Sequence, residues 1–111
     1  MAKKTRTLTQ ARTCADLGMD ELAVNLWKSA AAYEEQISPL LEALDRHREA
    51  ALHRVSSASC YERAGELARA ANLYRAALAG SLGDQANREV NEMLSACLKK
   101  LAKLPVVAAS S

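Results

Sequence analysis

The chain has 111 residues, half of them hydrophobic, and its 15 basic and 13 acidic residues leave a net charge of +2. That length suits one domain, and the near balance of charge excludes the broad positive field of a nucleic-acid binder. No run of ~18 apolar residues is present to span a membrane. The basic opening MAKKTRTLTQ lacks the apolar stretch of a secretory signal, so the chain reads as cytoplasmic.

The composition points to an all-α fold. Alanine, leucine, glutamate and arginine, all strong helix formers, dominate. Trp27, Tyr33, Tyr61 and Tyr74 are the only aromatics, too few for a sandwich or barrel. Cys14, Cys60 and Cys97 are far apart and form no C-x-x-C pair. They read as reduced, buried thiols rather than as a zinc or redox site.

In chain order the pattern predicts five helices. The first spans about Thr7 to Leu17 and stops at Gly18. Asp20 caps the second, with Glu21 near the positive end of the helix dipole. Leu22, Ala23, Leu26, Trp27, Ala30 and Ala31 then form one apolar stripe that carries it to about Gln36. Ser38-Pro39 reads as a helix start, with Ser as the cap and Pro at the first helical position. No breaker follows until Gly65, so the third helix is expected to be unusually long, Pro39 to Ala64, or ~39 Å at 1.5 Å per residue. A basic segment, Arg46, His47, Arg48, His53 and Arg54, lies in its middle. The fourth helix follows Gly65 with Ala70, Leu73, Tyr74, Ala77 and Leu78 on one face. Gly80 to Gly83 closes it, and Asp84 caps a fifth helix from about Gln85 to Lys103. Pro105 stops the fifth helix. Residues 1–104 read as a single helical domain and 105–111 as a disordered tail.

An internal repeat overlies this pattern. Residues 11–30 laid on 58–77 match at Ala11/Ala58, Gly18/Gly65, Ala23/Ala70, Asn25/Asn72, Leu26/Leu73 and Ala30/Ala77, with Trp27 opposite Tyr74. Small residues permit close helix approach, and glycines permit a sharp turn. The spacing of Ala58, Tyr61, Gly65, Ala70, Tyr74 and Ala77 resembles that of the tetratricopeptide repeat. Ala11, Gly18, Ala23, Trp27 and Ala30 resemble it too, with Cys14 in place of the first aromatic. The family's early tryptophan is replaced by Thr7 and Arg54, and its closing proline by Glu35 and Leu82. The usual unit is ~34 residues, so the extra length between the two copies falls in the long third helix.

The resemblance implies two antiparallel helical hairpins, with the fifth helix as a C-terminal cap. It also implies a concave groove that takes a peptide or helix of a partner. Arg12, Asp16, Ser59, Glu62 and Arg63 are the groove residues not used in packing. Two other surfaces stand out from the residues themselves. Tyr33, Ile37, Leu40, Leu41 and Leu44 surround the Ser38-Pro39 junction, either packed on one another or exposed to a partner or second copy. Arg46 with His53, and His47 with Arg54, share faces that either hold an acidic ligand or are solvated and paired with Glu49 and Asp45.

No phosphate loop, nucleophile elbow or H-E-x-x-H motif occurs. His47 and His53 are six apart, the wrong spacing for two metal ligands on one helix face. The expectation is a protein-binding module, adaptor or chaperone-like, with no catalytic residue, metal or cofactor. The alternative is a self-assembling structural unit, a homodimer or larger homo-oligomer with no separate ligand.

Overall fold

The computed structural model describes residues 20–104. Among them are four helices: α1 Asp20–Ala43, α2 His47–Arg63, α3 Leu67–Leu78 and α4 Asp84–Ala102. The extensive helix contacts are between chain neighbours, α1 on α2, α2 on α3 and α3 on α4. The all-α class expected from composition is what these residues form.

The five-helix arrangement is not. The long helix expected from Pro39 to Ala64 does not exist. Instead α1 runs straight through Ser38-Pro39 and ends at Ala43, and α2 starts at His47. Ser38 does not cap a helix start, because its hydroxyl donates back to the Glu34 carbonyl, 3.2 Å away. Proline inside a helix leaves the carbonyl four residues earlier without its usual donor, at a cost of about 3 kcal/mol. The burial of Ala30, Ala31, Glu34, Ser38 and Leu41 holds the helix together across that defect.

The true break is at Asp45, whose φ is 59°. Its amide donates to the Glu42 carbonyl at 3.0 Å, and the Arg46 amide reaches the Leu41 carbonyl at 2.9 Å. The same turn recurs at Gly65, where φ is 85°. There the Gly65 amide donates to Glu62 at 3.0 Å and the Glu66 amide to Tyr61 at 2.9 Å. Both are Schellman ends, with one left-handed residue closing the helix. Aspartate tolerates that conformation without marking it as glycine does, so the sequence signal at Asp45 is faint.

This break also removes the expected pair of tetratricopeptide-type hairpins under a capping helix. There is no insertion-bearing third helix, and the described helices show no stack of repeated hairpins. The expected helix from Thr7 to Leu17 and the tail at 105–111 lie outside the described residues, as does Gly18.

The positions read as packing positions do form the core. Ala58, Tyr61, Ala70, Tyr74 and Ala77 are buried, joined by Trp27, Ala30, Ala31, Ala51 and Ala71. Small residues bring the helices close, and the aromatic rings fill what remains. Gly80 completes the approach, since a Cβ there would meet the Ala77 carbonyl at 3.3 Å and the Ala51 methyl at 3.4 Å. Helix α4 lies within one residue of its expected limits, although Gly83 rather than Asp84 takes the cap position. It docks by one face, with Val90 and Cys97 buried and the Cys97 thiol donating to the Leu67 carbonyl at 3.4 Å.

Candidate functional site

Helix α2 has two sides. Ala50, Ala51, Ser57, Ala58, Cys60 and Tyr61 face inward. Arg48, Leu52, Ser56, Ser59 and Arg63 recur every three or four residues and share the other side. Leu52 is 45% exposed there, and Arg48 and Arg63 are exposed as well. Neighbouring helices cover it in part: Ser56 and Ser59 are half-buried, Ser59 meets Tyr74 of α3 and Arg63 meets Trp27 of α1.

At its C-terminal end lies an open hollow of about 310 Å³. Ser59, Glu62 and Arg63 of α2 line it, with Tyr74 of α3 and Met93, Ala96 and Lys100 of α4. A polar chain fixes its wall. The Tyr74 hydroxyl donates to Glu62 Oε1 at 2.9 Å and lies 3.2 Å from the Ser59 hydroxyl. The Lys100 ammonium donates to Glu62 Oε2 at 2.5 Å. Burial, opposed by the Ser59 hydrogen bond and reinforced by Glu62, pushes the Tyr74 phenol up to about 12. It stays a neutral donor throughout the physiological range. Burial also raises the Cys97 thiol behind it, which disfavours a reactive thiolate.

Glu62 is therefore neutralised by Lys100, while Arg63 keeps its charge. Its guanidinium lies over the Trp27 ring, 4.8 Å from the centroid, a contact that orients a cation without cancelling it. Among the described residues no carboxylate pairs with Arg63. The hollow is thus mildly cationic at its rim and apolar at Met93 and Ala96.

Three of the residues expected to face a partner, Ser59, Glu62 and Arg63, are brought together here. Arg12 and Asp16 lie outside the described residues. Tyr74 and Lys100 were not expected at the site, since one reads as a core filler and the other as a dipole partner at a helix end. They come from 12 and 38 residues beyond Glu62, and no local spacing announces that meeting.

The patch around Ser38-Pro39 divides. Leu40 and Leu44 are each 65% exposed, whereas Leu41 is buried against the inner side. Tyr33 and Ile37 are half-buried. The basic segment is taken up internally, mostly by glutamates of α1. Arg54 donates to Glu42 at 2.9 Å, and His47 Nδ1 lies 2.5 Å from the other oxygen of Glu42. Those two bonds, Arg54 first, hold the Glu42 carboxyl below its usual range. The Glu42 bond in turn raises His47. His53 Nδ1 is 2.5 Å from Glu34, and Arg46 pairs with Glu49. Arg48 alone of this segment keeps its charge unpaired among the described residues.

No cluster of three His, Cys, Asp or Glu side chains suited to a metal occurs among the described residues. No described helix is long and apolar enough to cross a membrane. Comparison with protein-family models, with characterised proteins and with solved structures finds no match to the chain.

Proposed function

We propose that the protein is a protein-binding module, adaptor-like, whose exposed α2 face and adjoining hollow receive a short segment of a partner protein. The observation that carries this reading is Arg63, a cation without a carboxylate partner among the described residues, at the rim of a hollow with an apolar floor. Leu52 adds an exposed apolar side chain along α2, and Ser56 and Ser59 add hydrogen-bonding hydroxyls. Such a strip favours a segment with an apolar side chain for the hollow and an acidic one for Arg63. Nothing in the hollow is arranged for bond making or breaking. Its one carboxylate is engaged by Lys100 and Tyr74, and its nearby thiol is held protonated.

The test is affinity capture from the source cell with the full chain as bait. Ser59→Trp, which fills the hollow, and Arg63→Glu, which reverses its charge, are compared with Arg88→Glu on the exposed face of α4. Loss of the same captured protein with the first two, and its retention with the third, supports the reading. Capture that survives both site changes in baits of unchanged circular dichroism sinks it.

A further inference from the structure

The hollow beside Arg63 sets narrow terms for what can fill it. At about 310 Å³ it lies at the small end of the range for ligand pockets, with room for a side chain or two. Its floor, Met93 and Ala96, is apolar, and Lys100 is engaged by Glu62. Arg63 is exposed, rests on the Trp27 ring and pairs with no carboxylate among the described residues. The matching ligand is an exposed apolar side chain with a carboxylate directly beside it.

The chain itself presents that pair. Five leucines are exposed among the described residues: Leu22, Leu40, Leu44, Leu52 and Leu104. Of these, Leu22 and Leu44 adjoin an acidic residue, Glu21 and Asp45 respectively. Leu22 is 44% exposed and belongs to the first turn of α1, whereas Leu44 is 65% exposed. Leu44 lies outside any helix, in the turn between α1 and α2. Asp45 follows it at φ 59°, with its side chain 93% exposed. Its ion pair is a long one, 3.5 Å to His47 Nε2, and the other nitrogen of that ring is held by Glu42 at 2.5 Å. Leu44 and Asp45 thus stand clear of the fold on a tight turn, a leucine and a carboxylate side by side.

The two halves of this match cannot meet within one chain. Helix α2, 17 residues long, separates Asp45 from the hollow at its far end by about 26 Å at 1.5 Å per residue. The contact has to be made between copies.

Resting on the proposed role of the α2 site as a receptor for a short segment, we infer that the segment is the Leu44–Asp45 turn of a second copy. Leu44 packs on Met93 and Ala96, and Asp45 pairs with Arg63. Exchanged reciprocally, the contact closes a two-fold dimer; made one way, it extends a chain. One leucine and one ion pair form a small contact beside a standard interface of roughly 1,600 Å². Association is therefore weak and concentration-dependent.

The test is sedimentation equilibrium of the full chain from micromolar to millimolar concentration, with charge exchanged across the contact. Asp45→Arg sets two arginines against each other, and Arg63→Asp sets two aspartates. Both positions are exposed, so circular dichroism is expected to be unchanged. Each variant alone is expected to associate about tenfold more weakly than the parent, or less still. Leu44→Ser is expected to weaken association to a similar degree. An equimolar mixture of the two charge variants regains the association that neither has alone, because opposite charges again meet across the contact. The double variant regains it too. Three results overturn the inference: a monomer at every concentration, association untouched by either charge variant, or a mixture that associates no better than its components. A monomeric chain whose capture of another protein is still lost with Ser59→Trp and Arg63→Glu has a working α2 site with a different occupant. A monomeric chain whose capture ignores both changes has neither.

Discussion

The seam between α1 and α2 and the seam between α2 and α3 are built from different materials. Across the first, Glu34 and Glu42 meet His53, His47 and Arg54, and the Ser57 hydroxyl donates to the Ala31 carbonyl at 2.7 Å. Across the second, alanines and tyrosine rings make the contact, with polar groups only at the rim. Polar seams fix a geometry but contribute little net stability, because desolvation offsets most of the attraction. Apolar seams stabilise in proportion to the area they bury. Hence the α1 seam adds polar and charged pairs to the packing of Trp27, Ala30 and Ala31, whereas the seam between α2 and α3 rests mainly on packing.

The sharpest way to break this contrast is at Glu34, whose carboxylate side chain is 0% exposed. His53→Ala removes the imidazole that faces it from α2. Removing one partner of a buried hydrogen bond costs about 1–3 kcal/mol. Urea unfolding followed by circular dichroism checks this, and the double change Glu34→Gln with His53→Ala is expected to recover part of the loss. A loss below about 0.5 kcal/mol, the usual effect of a surface substitution, would show that the α1 seam does not depend on this pair.

How far each seam was legible in the sequence follows the same division. The limits of α3 and α4 could be read because Gly65, Gly80 and Gly83 punctuate them, and because Ala70, Tyr74, Ala77, Val90 and Cys97 keep helical spacing. The junction of α1 with α2 could not. Proline at 39 is the loudest local signal and is overruled by packing, while Asp45 ends a helix with a residue that rarely does so. In the candidate site, Ser59, Glu62 and Arg63 follow from the tetratricopeptide resemblance, which implies a groove on this helix and leaves them out of its packing. Tyr74 and Lys100 escaped because each already had an adequate role in its own helix. The α1 glutamates escaped for the opposite reason, since their partners depend on a turn that the pattern hides.

The two turns offer a middle-sized test, since they share one geometry but not one residue. Gly65→Ala puts a side chain at φ 85°. Nothing lies within 4 Å of the added Cβ, so the cost is backbone strain alone, about 1–2 kcal/mol. Asp45→Gly relieves the corresponding strain and changes stability by less than about 1 kcal/mol, because the chain entropy of glycine offsets the relief. Thermal unfolding of both variants measures the difference. Equal effects at the two positions would mean that the turns are not equivalent in energy despite their shared hydrogen bonds.

The smallest effect is the pH response of the α1 seam, carried by the exposed His47 and its partner Glu42. The bonds from Arg54 and His47 hold Glu42 below its ordinary value of 4.5. Its contribution is therefore complete above pH 4.5 and is lost as the pH falls through the depressed value. His47 is raised above 6.5 by Glu42, so its contribution is complete below pH 6.5 and is lost as the pH rises through the raised value. Both are fully present only between these limits. His47→Gln is expected to remove the alkaline decline and leave the acid one, which Arg54 sustains alone. Glu42→Gln is expected to remove both. Melting temperatures taken from pH 2 to 9 separate the three proteins. If His47→Gln keeps the full alkaline decline of the parent, the pairing with Glu42 does not act in solution, and α1 is held at that end by Arg54 and by the burial of Leu41.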